Sequence, residues 1–188
     1  MRLILASASP RRAELLTAAG FSFEIQPADV DETPRPAESA TAYALRVARD
    51  KAAAVAHRCE DTGTPVLAAD TVVVAGGEIL GKPRDDGDAR RMLKRLSGAV
   101  HEVHTGVVLC GTHGERKELV TTRVRVFPLS DDEITWYIAT GEAHGKAGAY
   151  AIQGYAARFI DHIEGSWSNV VGLPIATVYR MLKDLRYP

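Results

Sequence analysis

The chain lacks the features that mark membrane, secreted and nucleic-acid-binding proteins. None of its apolar runs is long enough to cross a bilayer, and its first residues lack the hydrophobic stretch of a signal peptide. Its net charge of −1 provides no overall field that would attract nucleic acid, so a site for an anion has to be local. We therefore expect a cytoplasmic protein that binds neither membrane nor nucleic acid.

The sequence is also poor in cysteine and in the common motifs for metals and phosphates. Its two cysteines, Cys59 and Cys110, form no CxxC pair and have no metal-ligand spacing with histidine. Two reduced thiols are the simplest expectation for such a chain. Because a Walker A motif and a GxGxxG motif are both missing, any phosphate site must be built in another way.

The hydrophobic pattern predicts one α/β domain over residues 1–188, since this length suits one sizeable domain better than two. Hairpin signals and helical crossovers both occur, which favours a mixed sheet. The predicted strands are 1–6, 21–26, 66–74, 78–80, 100–110, 118–127 and 158–163, and the predicted helices are 10–19, 41–58, 85–96, 130–140 and 174–185.

The turn that follows the first strand is suited to an anion. Ser9 is a good N-cap residue and Pro10 fits the first helical position. The free N–H groups and the positive end of the helix dipole lie there, and Arg11 and Arg12 add fixed positive charge. A phosphate fits this description, but a plain capped turn with two solvated arginines fits it equally well.

Asp70 interrupts the apolar strand predicted over 66–74. A buried carboxylate is costly unless it is paired, hydrogen-bonded or bound to a metal. It could be a satisfied structural residue at a strand end. Because strand interiors rarely carry aspartate, we favour a general base or a metal ligand.

Other charged residues are weaker candidates. Lys82 stands between a glycine and a proline, which fixes its direction of approach, and Lys51 lies in a long helix; solvated lysines are the ordinary interpretation of both. Asp29, Asp31 and Glu32 lie in a long loop and could bind Mg²⁺ or Mn²⁺ through oxygen. A solvated acidic loop is the more common case.

Two segments near the carboxyl end carry amide side chains. The glycine-bracketed segment 148–154 presents Gln153, which could contact the edge of a base, although a bulged strand is equally compatible. The polar turn before the last helix contains Ser168 and Asn169, and helix capping is our preferred interpretation of both.

Together the carboxylates and cations match the inventory of metal-assisted phosphoryl chemistry. In this combination the motifs resemble the Maf family of nucleotide pyrophosphatases. They occur in the family's order from Leu3 to the last helix and so cover nearly the whole chain. The segments are 7–12 (SASPRR), 30–33 (VDET), 69–72 (ADTV), 81–83 (GKP), 146–150 (KAGAY), 152–154 (IQG) and 171–174 (VGLP).

This resemblance implies an inosine-triphosphatase-like (Maf/Ham1) α/β fold. Such a fold has a long twisted mixed sheet, flanking helices and a cleft between two lobes. The resemblance also implies cleavage of a nucleoside triphosphate between the α- and β-phosphates, which yields the monophosphate and pyrophosphate. A divalent cation, Mg²⁺ or Mn²⁺, and a homodimer are implied as well.

The resemblance further implies roles for individual residues. Asp70 would accept the proton, and Glu32 together with Asp70 would bind the metal. Ser9, Arg12, Lys51 and Lys82 would bind the phosphates. Of these, Arg12, Lys51 and Lys82 would be catalytic residues together with Asp70.

The family divides by substrate, and three positions separate its branches. The branch that prefers dTTP and UTP carries Arg, Thr and Gln, which are matched here by Arg11, Thr71 and Gln153. The 7-methyl-GTP branch tends to have Trp, Gln and Glu, which suit a methylated, positively charged purine. A dTTP/UTP pyrophosphatase, acting on normal or modified pyrimidine nucleotides, is therefore expected. The alternatives are 7-methyl-GTP hydrolysis and a non-catalytic nucleotide sensor in cell-division control.

Overall fold

The computed structural model describes residues 3–59, 63–111 and 114–184, which form seven strands and six α-helices. The strands are β1 (Leu3–Leu5), β2 (Phe23–Ile25), β3 (Val66–Ala75), β4 (Glu78–Leu80), β5 (Val100–Gly111), β6 (Gly114–Val126) and β7 (Ile160–Glu164). The helices are α1 (Pro10–Ala18), α2 (Ala40–Ala56), α3 (Asp86–Leu96), α4 (Asp131–Ala139), α5 (Trp167–Val171) and α6 (Ile175–Asp184).

The strands form one mixed sheet in the order β2-β1-β3-β5-β6-β7, and β4 pairs with β3 at its side. Strand β1 runs parallel to β2 and to β3, whereas the pairs β3–β4 and β6–β7 are antiparallel. The parallel pairs are joined through α1 and α2, as crossover connections require. The predicted mixed α/β architecture is confirmed.

The chain contacts divide the described residues into two compact units. The first unit draws on 1–70, 105–120 and 172–188, and the second on 71–104 and 121–171. Strands β3, β5 and β6 each pass from one unit to the other along their length. The single domain over 1–188 and the cleft stay predictions.

The core of the first unit packs α2 closely against the sheet. Its buried residues are largely small. They come from β1 and the position after it, and from α2, β3 and β5, and they are Ile4, Ala6, Ala48, Ala52, Val55, Val66, Ala68 and Val108. At Gly106 a Cβ atom would lie 2.5 Å from the carbonyl oxygen of Ala44, so only glycine permits this approach of helix to strand. The close packing buries the helix face that carries Lys51.

Local signals explain most element boundaries. Ser130 and Glu133 form a capping box at the start of α4. Gly20 ends α1 at a φ of 79°, where its N–H donates to the Thr17 carbonyl. Ser9 occupies the N-cap position of α1 with extended backbone, but its side chain makes no capping hydrogen bond.

Some sequence predictions need correction, and others lie partly outside the described residues. Residues 155–159 form a 3-10 helix, so the strand predicted from 158 begins only at Ile160, and 147–149 form a 3-10 turn instead of a bulged strand. Positions 112 and 113, between the strands predicted over 100–110 and 118–127, lie outside the described residues, as do positions 1, 2 and 185. Within the described ranges, each helix is too short or too polar to span a membrane.

Candidate active site

Two carboxylates converge on one lysine in the first unit. The Lys51 Nζ atom donates to Asp70 Oδ1 at 2.8 Å and lies 2.7 Å from Glu32 Oε1. Lys51 is only 8 % exposed and Asp70 only 7 %, whereas the Glu32 side chain is 45 % exposed. The structure therefore joins three sequence candidates, and it corrects the ordinary interpretation of Lys51 as a solvated lysine.

Helix and strand geometry explain this convergence. Asp70 lies in β3 among buried apolar residues, and Lys51 lies on the α2 face that packs against the sheet. Tyr43, two turns before Lys51 on the same helix face, donates its hydroxyl to the Glu32 carbonyl oxygen at 2.8 Å. Tyr43 thus ties the acidic loop to α2. Sequence reasoning missed this role, although the spacing of eight residues was available as a signal.

The electrostatics of Asp70 suit a base. Burial raises the pKa of its carboxyl group, while the charge and hydrogen bond of Lys51 and the charge of Arg12 act in the opposite direction. The net shift is upward, and Glu32 adds to it as a neighbouring negative charge. A carboxylate with a raised pKa is a stronger proton acceptor than one in water.

Arg12 is buried and bound to the protein itself. Its Nε donates to the Gly172 carbonyl oxygen at 2.8 Å, and its Nη1 donates to Ser7 Oγ at 3.0 Å. Burial is the main cause that lowers the pKa of its guanidinium, and the negative charge of Asp70 acts in the opposite direction. The carbonyl of Gly172 and the hydroxyl of Ser7 are contacts that the sequence did not predict.

The neighbouring residues of this turn are more exposed. Arg11 is half-buried, and burial lowers its pKa. Ser9 is also half-buried, and its N–H donates to Ser7 Oγ at 3.2 Å. A pocket of about 630 Å³ opens here, lined by Ser7, Ala8, Ser9, Pro10, Ala13, Glu14, Thr17, Ala18 and Ile25. Because neither Asp70 nor Lys51 belongs to this lining, we do not take the pocket for the catalytic centre.

The remaining predicted site residues belong to the second unit. Thr71 directly follows Asp70 in β3 and is half-buried, and both Lys82 and Gln153 are exposed. The loop of Lys82 meets the segment of Gln153, because Gly148 N–H donates to the Gly81 carbonyl oxygen at 3.1 Å. Among the described residues, no hydrogen bond or ion pair involves the Lys82 side chain, as expected for a solvated lysine.

The capping role predicted for Asn169 is wrong. Its side chain is fully buried, and Nδ2 donates to the Val103 carbonyl oxygen and to Thr122 Oγ1, both at 3.0 Å. The cap of this short helix is Ser166, whose Oγ accepts from Asn169 N–H at 3.3 Å. Asn169 instead ties α5 to strands β5 and β6.

Two carboxylates of this group, those of Glu32 and Asp70, could act as ligands of a divalent cation. Among the described residues, no group of three or more histidine, cysteine or acidic side chains could hold a metal. Mg²⁺, however, is commonly held by one or two carboxylates, with substrate phosphates and water completing its shell. Glu32 and Asp70 supply two carboxylate oxygens that already face one positive charge, that of Lys51.

Comparison with known proteins identifies the family of this chain. Residues 2–185 match the family model described as Maf-like protein, so the chain belongs to the Maf family. It is 54 % identical to the dTTP/UTP pyrophosphatase of Anaeromyxobacter sp. (strain Fw109-5), with 100 % of this chain and 91 % of that protein covered. It is also 54 % identical to the dTTP/UTP pyrophosphatase of Koribacter versatilis (strain Ellin345), with 97 % and 94 % covered.

A third relative and one solved structure extend the comparison. The dTTP/UTP pyrophosphatase of Myxococcus xanthus (strain DK1622) is 51 % identical, with 99 % of this chain and 93 % of that protein covered. The Ham1 protein of Staphylococcus aureus is similar at a TM-score of 0.48 and 14 % identity, with 67 % of this chain and 72 % of that chain covered.

Proposed function

We propose that this protein is a dTTP/UTP pyrophosphatase, which hydrolyses these nucleotides to the monophosphate and pyrophosphate. The observation that carries the proposal is the identity of 54 % over the full chain to a relative of that name. The group of buried Asp70 and Lys51 with the more exposed Glu32 supports it, because it places a base and a cation together.

In the proposed reaction Asp70 activates water. Its carboxylate takes a proton from the water as the water oxygen bonds to the α-phosphorus, and the bond to the bridging oxygen breaks. The electron pair of that bond leaves with pyrophosphate. Lys51, 2.8 Å from Asp70, keeps the carboxylate ionised and ready to accept the proton.

Cations balance the charge of the triphosphate. We assign phosphate contacts to Arg12, Lys51 and Lys82, with the Ser9 hydroxyl as a further donor. We also propose that Glu32 and Asp70 hold Mg²⁺ or Mn²⁺, which would neutralise phosphate charge when bound. Because phosphates carry no information about the base, these groups should serve every nucleotide alike.

Base selection is assigned to three other residues. Arg11 and Gln153 can donate and accept hydrogen bonds at the carbonyls and ring N–H of a pyrimidine, and Thr71 would shape the floor of the site. A site built for such bonds rejects bases that leave its polar groups unpaired. The residues of the 7-methyl-GTP branch, Trp, Gln and Glu, are absent from these positions.

A nucleotide panel tests the proposal. Pyrophosphate release from dTTP, UTP, CTP and 7-methyl-GTP is measured with Mg²⁺, with Mn²⁺ and with a chelator. We expect the highest kcat/KM for dTTP and UTP and loss of activity in the chelator. Preference for 7-methyl-GTP would favour the other branch, and no hydrolysis of any nucleotide would favour the sensor in cell-division control.

The remaining proposals concern the state of the protein in the cell. We infer a homodimer and a cytoplasmic location from the family resemblance and from the composition. Sedimentation at micromolar concentration distinguishes a dimer from a monomer, and cell fractionation tests the location.

A further inference from the structure

The turn that carries Gln153 is held by two side chains of one neighbouring segment. Tyr137 in α4 is fully buried, and its hydroxyl accepts from Ala151 N–H at 3.2 Å. The same hydroxyl donates to Glu142 Oε1 at 2.9 Å. Tyr137 and Glu142 therefore act as one hydrogen-bonded unit against residues 151–156.

Glu142 holds the other side of the turn. Its Oε2 accepts from Tyr155 N–H at 2.8 Å, and its Oε1 accepts from Ala156 N–H at 3.3 Å. Because Ala151 and Ala156 are buried, their N–H groups would lose hydrogen bonds without gaining water if this unit were removed. The exposed Gln153 thus lies between two anchored stretches of backbone.

Gly154 shows how closely the carboxylate approaches the turn. A Cβ atom on Gly154 would lie 1.8 Å from Glu142 Oε2 and 2.4 Å from its Cδ. The backbone at Gly154 has a φ of −111°, which other residues also adopt, so the carboxylate and not the backbone demands glycine here. An added methyl group would displace Glu142 from the turn.

We propose that Glu142, with Tyr137, is a positioning residue for base selection. It holds the Gln153 turn in one conformation and thereby sets the discrimination between pyrimidines. The inference rests on the proposed function, in which Gln153 reads the base. Glu142 itself has no assigned contact with the phosphates, so its removal should change selectivity more than the chemical step.

The test compares kcat/KM for UTP and CTP in wild type, Glu142→Gln and Gly154→Ala. Glu142→Gln keeps the shape but replaces one carboxylate oxygen by a donor that faces a backbone N–H. We expect the preference for UTP over CTP to fall about tenfold, the effect of one lost hydrogen bond, chiefly through KM. Glu164→Gln, an exposed glutamate on β7, is the matched control and should keep the wild-type preference.

Two further variants separate positioning from general damage. In a Gln153→Ala background, Glu142→Gln should change the preference no further, because the residue that it positions is gone. Gly154→Ala should reproduce the loss of preference even if Glu142→Gln does not fold. Equal losses for UTP and CTP, or an unchanged preference in both variants, would overturn the inference. A wild type that hydrolyses neither dTTP nor UTP would instead refute the proposed function.

Discussion

Asp70 and Asp88 have nearly the same solvent exposure, 7 % and 8 %, yet their pKa values move in opposite directions. Asp70 belongs to the first unit and Asp88 to the second. Burial dominates at Asp70 and raises its pKa. At Asp88 the hydrogen bond from the N–H of Arg84 is the main cause that lowers the pKa. Hydrogen bonds from the side chains of Arg91 and Arg84 lower it further.

The difference lies in desolvation, which dominates at Asp70 but not at Asp88, and in the donors around each carboxylate. Asp88 Oδ2 accepts from the N–H of Arg84, just before α3, at 3.2 Å, and its Oδ1 accepts from Arg91 Nε, within α3, at 3.0 Å. Asp70 lies in an apolar strand and shares Lys51 with a second carboxylate, that of Glu32. Low exposure alone therefore does not identify a base; the balance between desolvation and donors does.

The largest expected effect is on turnover when Asp70 is changed. Asp70→Asn keeps the shape and removes the basicity, so kcat should fall about a hundred- to ten-thousandfold. The measurement is pyrophosphate release from UTP under saturating conditions. Asp88 in the second unit has a similarly low exposure, so Asp88→Asn is the matched control and should keep nearly full activity. A folded Asp70→Asn protein with normal turnover would contradict the assignment.

A second prediction concerns the acidic limb of the pH profile. Lys51→Met keeps the aliphatic stem and removes the ammonium group that lowers the pKa of Asp70. Asp70 should then stay protonated up to a higher pH, so kcat/KM should begin to fall at a higher pH than in wild type. Profiles of kcat/KM between acidic and neutral pH test this shift. If the acidic limb stays at the same pH and only the plateau value of kcat/KM falls, Lys51 binds the phosphates but does not tune the pKa of Asp70.

The smallest effect should appear in stability, with opposite signs at the two aspartates. The lowered folded-state pKa of Asp88 means that its ionised form stabilises the fold above the unfolded pKa near 3.8, and this contribution is lost as the pH falls through the folded value. Asp88→Asn should therefore lower Tm at pH 7 but hardly at strongly acidic pH.

At Asp70 the linkage has the other sign. Its raised folded-state pKa means that the charged form costs stability at pH values above it, so Asp70→Asn should leave Tm at pH 7 at or above the wild-type value. Thermal unfolding of wild type and both variants at neutral and acidic pH provides the comparison. A lower Tm for Asp70→Asn would show that its contact with Lys51 outweighs the cost of burial.

Neighbours along the chain are enough to determine several local features of this protein. The capping box of Ser130 and Glu133, the helix stop at Gly20 and the apolar strand around Asp70 all follow from residues a few positions apart. The alternation along β6, where Thr122, Val124 and Val126 are buried and the arginines between them are exposed, follows from the period of a strand. Such local rules also made Asp70 conspicuous, because a charge stood where only apolar residues belong.

Tertiary structure decided what each polar side chain contacts. Lys51 looked like a solvated lysine until the small residues of α2 and Gly106 brought the helix onto the sheet beside Asp70. Asn169 looked like a cap, but its amide bridges β5 and β6. The hydrogen-bond partners of these residues lie 19 to 66 positions away in the chain. Neither propensity nor periodicity reports such pairings, because both act over a few residues, whereas a buried polar group takes whichever partner the packed fold places beside it.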